Sequence, residues 1–212
     1  MEKRKIAVIG GGLGGMETAI QASLRGHKVD LYERSGRLGG VFNAAAAPSF
    51  KEKDKQLLEY YAGQLYKSGT TVHLNTEISD ISSLDADIAV VAIGARPRLL
   101  NVPGVERAVS AADFLNDGMK CGDKVVIIGG GLTGCEVAYE LALQGKHPSI
   151  VEMTDYLVGA RGICMANSSM LRELLRFHKV PAYLNSTVDS ITDKGVVINT
   201  PEGTVTVPAD TV

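Results

Sequence analysis

A stretch of this chain occurs twice. Residues 5–33, KIAVIGGGLGGMETAIQASLRGHKVDLYE, lie without a gap over residues 124–152, KVVIIGGGLTGCEVAYELALQGKHPSIVE, at a constant offset of 119. The three successive glycines, Leu13/Leu132, Gly15/Gly134, Glu17/Glu136, Ala19/Ala138, Gly26/Gly145 and Glu33/Glu152 all coincide. Self-similarity of this kind means that one supersecondary unit is present twice, which constrains the fold more than any bulk property does.

Each copy reads as a βαβ unit. An apolar, β-branched run (Ile6–Ile9; Val125–Ile128) suits a strand buried on both faces, and a glycine cluster then opens an apolar-periodic helix, predicted over about 14–25 and about 133–144. Gly26 and Gly145 mark the helix ends. A second short strand follows, with a glutamate at its carboxyl end in both copies. The predicted fold class is therefore α/β, with two Rossmann-like dinucleotide-binding lobes spanning residues 1–105 and 106–212.

The glycines have a spacing with a physical purpose. In Gly10-x-Gly12-x-x-Gly15 and Gly129-x-Gly131-x-x-Gly134 the first permits a tight turn, the second lets backbone N–H groups approach a pyrophosphate, and the third allows close helix–strand packing. The helix amino end adds positive potential. Glu33 and Glu152, each 23 residues after the first glycine, stand where a carboxylate can accept from ribose hydroxyls. A lone motif of this type is weak evidence; two copies, each with a strand before, a helix after and an acid at the same distance, are far stronger.

Composition excludes several classes. With 22 Lys+Arg against 24 Asp+Glu the net charge is −2, so no basic field draws in nucleic acid or an anionic membrane. The apolar runs fall far short of the roughly 20 residues that span a bilayer, and the four-residue run after Lys3-Arg4-Lys5 is too short for a secretory signal. The chain reads as cytoplasmic. Cys121, Cys135 and Cys164 are too few and scattered for a disulfide framework, and no Cys/His spacing offers a metal site.

Two non-identical dinucleotide sites in one chain point to hydride transfer from a nicotinamide to a flavin. Arg34-Ser35-Gly36-Arg37-Leu38-Gly39-Gly40 and the strand Ala89-Val90-Val91-Ala92-Ile93-Gly94-Ala95-Arg96-Pro97 make the chain resemble the two-dinucleotide-binding, glutathione-reductase-like flavoproteins. The resemblance implies that Gly10, Gly12, Leu13, Gly14 and Gly15 bind FAD pyrophosphate and Glu33 its ribose. It further implies that Arg34, Arg37, Gly39, Gly40, Ala92 and Gly94 line the flavin side. Gly129, Gly131, Leu132, Thr133, Gly134 and Glu136 are implied to contact NADH, with Glu152 on its ribose. A carboxylate at Glu152 repels a 2′-phosphate, so NAD is preferred over NADP; Arg161 is the one basic residue that a loop could fold back toward such a phosphate. No side chain is assigned a catalytic role and no metal is expected.

Neither a redox-active cysteine pair nor a cysteine after Gly39-Gly40 is present, so the disulfide-reducing branches are disfavoured. The segment Leu38-Gly39-Gly40-Val41-Phe42-Asn43-Ala44-Ala45-Ala46-Ala47-Pro48-Ser49-Phe50-Lys51 resembles the C-terminal part of the 2,4-dienoyl-CoA reductase and enoate reductase family of Old Yellow Enzyme-like NADH:flavin oxidoreductases. That resemblance implies a partner FMN-binding barrel with an iron–sulfur cluster, in cis or in trans, and electrons running from NADH through FAD, cluster and FMN to an activated double bond. The chain then reads as a fragment, with residues 203–212 as the start of a further buried strand and the end of the FAD lobe missing. Two alternatives stay open: a stand-alone reductase subunit feeding a separate iron–sulfur protein, and a nucleotide-binding module without turnover. Elsewhere, helices are predicted over about 51–67 and from an Asn167 cap to about 178, with strands near 71–75, 88–93, 182–184, 187–192, 196–199 and 204–207. His27, His73, His147 and His178 lie outside both motifs and read as surface or helix-end residues.

Overall fold

A computed structural model describes residues 2–98, 100–159 and 162–212. The chain divides into two compact units, Met1–Ala47 with Lys51–Arg96, and Pro48–Phe50 with Pro97–Val212.

In the first unit, β1 (Lys5–Ile9), α1 (Leu13–Leu24), β2 (Lys28–Tyr32), α2 (Phe42–Ala45), α3 (Glu52–Lys67), β3 (Thr71–His73) and β4 (Ile88–Val91) follow one another. The four strands form one parallel sheet in the order β3-β2-β1-β4, with Ile6 opposite Val29 on one side and Ile88 on the other. Val8 and Leu31 on the sheet, Met16, Ala19 and Ile20 on α1, and Leu65 on α3 form its core. Apolar residues three and four apart give α1 a single buried stripe, which is why a helix rather than a third strand follows the glycines.

The second unit contains α4 (Ala111–Asn116), β5 (Lys124–Ile128), α5 (Leu132–Leu143), β6 (His147–Val151), α6 (Met165–Phe177), β7 (Ala182–Tyr183), β8 (Thr187–Thr192), β9 (Gly195–Thr200) and β10 (Gly203–Pro208). A parallel sheet runs β5-β6-β7, and an antiparallel one β10-β9-β8. Val196, Ile198 and Val207 of the antiparallel sheet pack on Val126 and Val151, while Cys135, Ala138, Ile150, Leu171 and Leu175 form a separate cluster beneath α5 and α6.

The predicted helices and strands fall within a residue or two of those observed, with four differences, the first being the one-turn helix α2, Phe42–Ala45, which the sequence reading does not predict. Asn167 does not cap α6: the helix begins at Met165 with Cys164 as its cap, so Asn167 sits in the first turn. Helix α4 went unread although its sequence carries the signal, since the Ser110 hydroxyl accepts from Asp113 N–H at 3.1 Å in a serine–acid capping pair. Residues 203–212 are not one buried strand. Gly203–Pro208 closes an antiparallel meander, and the chain reaches the parallel sheet at Asp210, which donates its N–H to Lys124 O at 2.8 Å, and at Thr211, which bridges Val125 and accepts from Val126 N–H at 3.0 Å.

The repeat extends beyond what sequence identity reveals. Glu33 N–H donates to His73 O and Glu152 N–H to Tyr183 O, both at 2.9 Å, so His73-Leu74-Asn75-Thr76 corresponds to Tyr183-Leu184-Asn185-Ser186. Asn75 and Asn185 both adopt a positive φ, 53° and 50°, and donate to Ser35 O and Thr154 O. Asp87 and Asp210 each accept the backbone N–H of the lysine that opens the first strand of their unit, at 2.7 and 2.9 Å.

Candidate dinucleotide sites

Each glycine loop is a turn that only glycine can make. Gly10 and Gly129 sit at φ 110° and 105°, a region that side chains disfavour. A Cβ on Gly15 would stand 1.8 Å from Gly10 O, and one on Gly134 2.0 Å from Gly129 O, so the third glycine of each motif is demanded by packing. Gly12 and Gly131 meet nothing within 4 Å, leaving the second glycine open to a ligand. Neither α1 nor α5 has a side-chain cap at its amino end, whereas Ser110 caps α4. Unsatisfied amides at two glycine-rich helix starts are the standard physical means of holding phosphate.

The two glutamates close onto these loops. Glu33 accepts Gly11 N–H at 2.7 Å on Oε2, and Ser35 N–H and hydroxyl at 2.8 and 2.7 Å on Oε1. Glu152 does the same with Gly130 N–H at 2.7 Å and with Thr154 N–H and hydroxyl at 2.8 and 2.9 Å. Burial pushes both carboxyls up, but the donated hydrogen bonds outweigh it, and Arg34 helps at Glu33, so both end below the ordinary value of 4.5. A carboxylate has about four acceptor positions, so each glutamate keeps capacity for a ribose hydroxyl.

This arrangement assigns a role to residues that the motif logic passed over. A Cβ on Gly11 would lie 2.8 Å from Leu38 Cδ2 and 3.1 Å from Glu33 Cβ; on Gly130 it would lie 2.4 Å from Leu157 Cδ2 and 3.0 Å from Glu152 Cβ. The middle glycine thus lies beneath a leucine and the acid, both of which fold over it. Its signal was the identity of all three glycines in both copies, and that of Ser35 and Thr154 was their common offset of 119.

In the first unit Gly39 N–H donates to Gly11 O at 2.8 Å and Gly39 pairs with Gly12 in a parallel bridge. A Cβ on Gly40 would lie 3.2 Å from Gly12 Cα, and one on Gly10 2.4 Å from Ala92 O. Gly10, Gly12, Gly15, Glu33, Gly39, Gly40 and Ala92 therefore converge. Leu13 packs on the core, Gly14 is exposed at the helix start, and Arg34, Arg37 and Gly94 are exposed. In the second unit Gly129, Gly131, Leu132, Thr133 and Gly134 line a groove of about 400 Å³ beside β5, while Glu136 lies one turn along α5 from Leu132. Arg161 lies outside the described residues.

His27 follows α1, His147 is the exposed first residue of β6, and His178 caps α6. His73 instead stacks on Tyr32, ring centroids 4.6 Å apart, and meets Asp30 at 2.9 Å. Among the described residues no group of three His, Cys, Asp or Glu side chains could hold a metal, and no helix is long and apolar enough to cross a membrane.

All three cysteines lie after residue 97, so the first unit has no dithiol to offer a cofactor. Cys135 is fully buried, donates to Gly130 O at 3.3 Å, and its thiol is pushed up to about 12 by burial and by the Glu152 charge. Brief labelling of the native chain with an aromatic disulfide, read by peptide mass, is expected to modify exposed Cys164 first and to spare Cys135 until denaturant is added. Rapid native labelling of Cys135 would contradict its burial.

The family model for pyridine nucleotide-disulphide oxidoreductases matches residues 4–212. The chain is 41% identical over 200 residues to cinnamate reductase of Clostridium sporogenes, covering 93% of this chain and 30% of that protein. It is 33% identical over 213 residues to bilirubin reductase of Mediterraneibacter gnavus, covering 99% and 33%. Among solved structures, a 2-naphthoyl-CoA reductase complex superposes with a TM-score of 0.91 at 31% identity, covering 100% of this chain and 32% of that one. The chain thus spans about a third of the length of these relatives.

Proposed function

The chain belongs to the pyridine nucleotide-disulphide oxidoreductase family, and on that premise we propose that it is the FAD- and NADH-binding module of an enoate-reductase-like flavoprotein. The family binds FAD and NAD(P)H, and the observation that carries the finer reading is the duplicated loop-and-glutamate cradle, one per unit. The first unit takes FAD, with the Gly10–Gly15 loop on its pyrophosphate, Glu33 on its ribose, and Gly39, Gly40 and Ala92 toward the flavin. The second takes NADH on the Gly129–Gly134 loop with Glu152 on the ribose.

When bound, FAD accepts a hydride from the reduced nicotinamide. This chain's residues bind and orient: the uncapped starts of α1 and α5 neutralise phosphates, the glutamates fix the riboses, and the third glycines hold each loop at its strand. No acid or base is required of a side chain. Glu152, ionised and facing the ribose, disfavours a 2′-phosphate and so selects NADH. The similarity to cinnamate, bilirubin and 2-naphthoyl-CoA reductases supports onward electron flow to an FMN and iron–sulfur barrel that reduces an activated double bond. Three free cysteines accord with a cytoplasmic setting.

The test is an anaerobic titration of the chain with FAD and then NADH, followed in the visible flavin band. Bleaching faster than in free FAD is the expected outcome. Binding of neither nucleotide sinks the two-site reading, and binding of FAD without bleaching sinks the transfer.

A further inference from the structure

The turn at Gly39-Gly40 meets the first unit's glycine loop at Gly11 and Gly12. Both residues of the turn have positive φ, 107° and 54°, and neither has a side chain to anchor it. Two adjacent glycines have more freedom to lose on ordering than any other pair. Beyond the backbone bonds of Phe42 N–H to Gly39 O and Asn43 N–H to Gly40 O, at 3.1 and 3.2 Å, the side chain that holds them is Asn43, from the first turn of α2: its carboxamide Nδ2 donates to Leu38 O at 2.9 Å and to Gly40 O at 3.1 Å, spanning the turn. The carboxamide lies flush on the glycine, since a Cβ on Gly39 would stand 2.7 Å from Asn43 Nδ2. The turn so clamped donates Gly39 N–H to Gly11 O and sets Gly40 against Gly12.

The second unit solves the same problem differently. Val158 stands at the position equivalent to Gly39, at φ 54°, and donates its N–H to Gly130 O at 2.7 Å. Its side chain is buried in the cluster with Cys135, Ala138 and Leu171, so an apolar anchor holds that turn. A β-branched residue at positive φ is uncommon and persists only where packing compels it. At Gly39 the first unit has no such side chain, and the carboxamide spans the turn in its place.

We propose that Asn43 is a positioning residue for the flavin nucleotide: it fixes the Gly39-Gly40 turn against the Gly10–Gly15 loop before FAD arrives. This rests on the reading that the first unit takes FAD. Asn43→Ala deletes both donors, and Asn43→Asp keeps the shape but replaces them with acceptors facing two carbonyls. FAD affinity is expected to fall about tenfold or more in the first and further in the second, from the loss of two hydrogen bonds.

The assay is the full chain with FAD, with NADH binding to the second unit as internal control and NADH-driven flavin reduction as readout. The FAD concentration for half-maximal rate should rise while the rate at saturating FAD stays within about twofold of wild type. A merely structural lesion lowers the saturating rate instead. Unchanged FAD affinity in both variants overturns the proposal, and so does loss of NADH binding in the variants, which would make Asn43 a general determinant of folding. Failure of the wild-type chain to take FAD removes the underlying assignment itself and the proposal with it.

Discussion

Gly134→Ala is expected to abolish measurable NADH binding while leaving FAD binding within about twofold. The added Cβ would lie 2.0 Å from the backbone atom Gly129 O and 3.2 Å from Ile127 Cγ2. Gly129 cannot retreat, because its own N–H donates to Val151 O at 2.8 Å and the neighbouring Gly130 is held by Glu152. The helix must therefore shift off the strand, a lesion in the class of more than about 4 kcal/mol, equivalent to roughly a thousandfold in binding. Gly131→Ala separates packing from ligand contact. Nothing lies within 4 Å of its Cβ, so the melting temperature should hold while NADH affinity falls. Isothermal titration with NADH and a thermal melt of each variant suffice, and normal NADH binding by Gly134→Ala would refute the placement of the site.

Glu152→Gln should weaken NADH binding by about one to two orders of magnitude, the loss expected when a charged acceptor of several hydrogen bonds is replaced. The amide can present an acceptor either to Gly130 N–H or to the two donors of Thr154, and its NH₂ then faces a donor on the other side. The pH dependence follows from the lowered carboxyl. A group whose folded value lies below its unfolded value of about 4.5 contributes stability that is present above that value and is lost as pH falls through the folded one. The wild-type chain should accordingly lose stability of the second unit on acidification below about pH 4.5 more steeply than Glu152→Gln does. Parallel acid curves for the two proteins would show that the carboxylate is not held as described. Glu33, less exposed and bonded alike, should behave the same way in the first unit.

The two βαβ units, their helices and the acids at their strand ends were legible in the sequence because their signals are local: glycine spacing, apolar periodicity and a constant offset. The closing of each acid on the middle glycine was not, since it joins residues 22 apart through side-chain rotamers that no spacing rule encodes. Asn167 misled as a cap because its residue type suits that position while the chain's path started the helix at Met165. The meander of β8, β9 and β10 was legible as strands, but its packing over Val126 and Val151 was not.

By itself the sequence determined what is repeated: a strand, a glycine turn, a helix and an acid, twice, which suffices for the fold class and for two nucleotide cradles. Only the tertiary structure decided how each cradle is held. In the first unit a carboxamide clamps a pair of glycines, and in the second a buried valine at positive φ does that work, because whether a turn can be anchored by packing depends on which apolar neighbours the fold brings beside it.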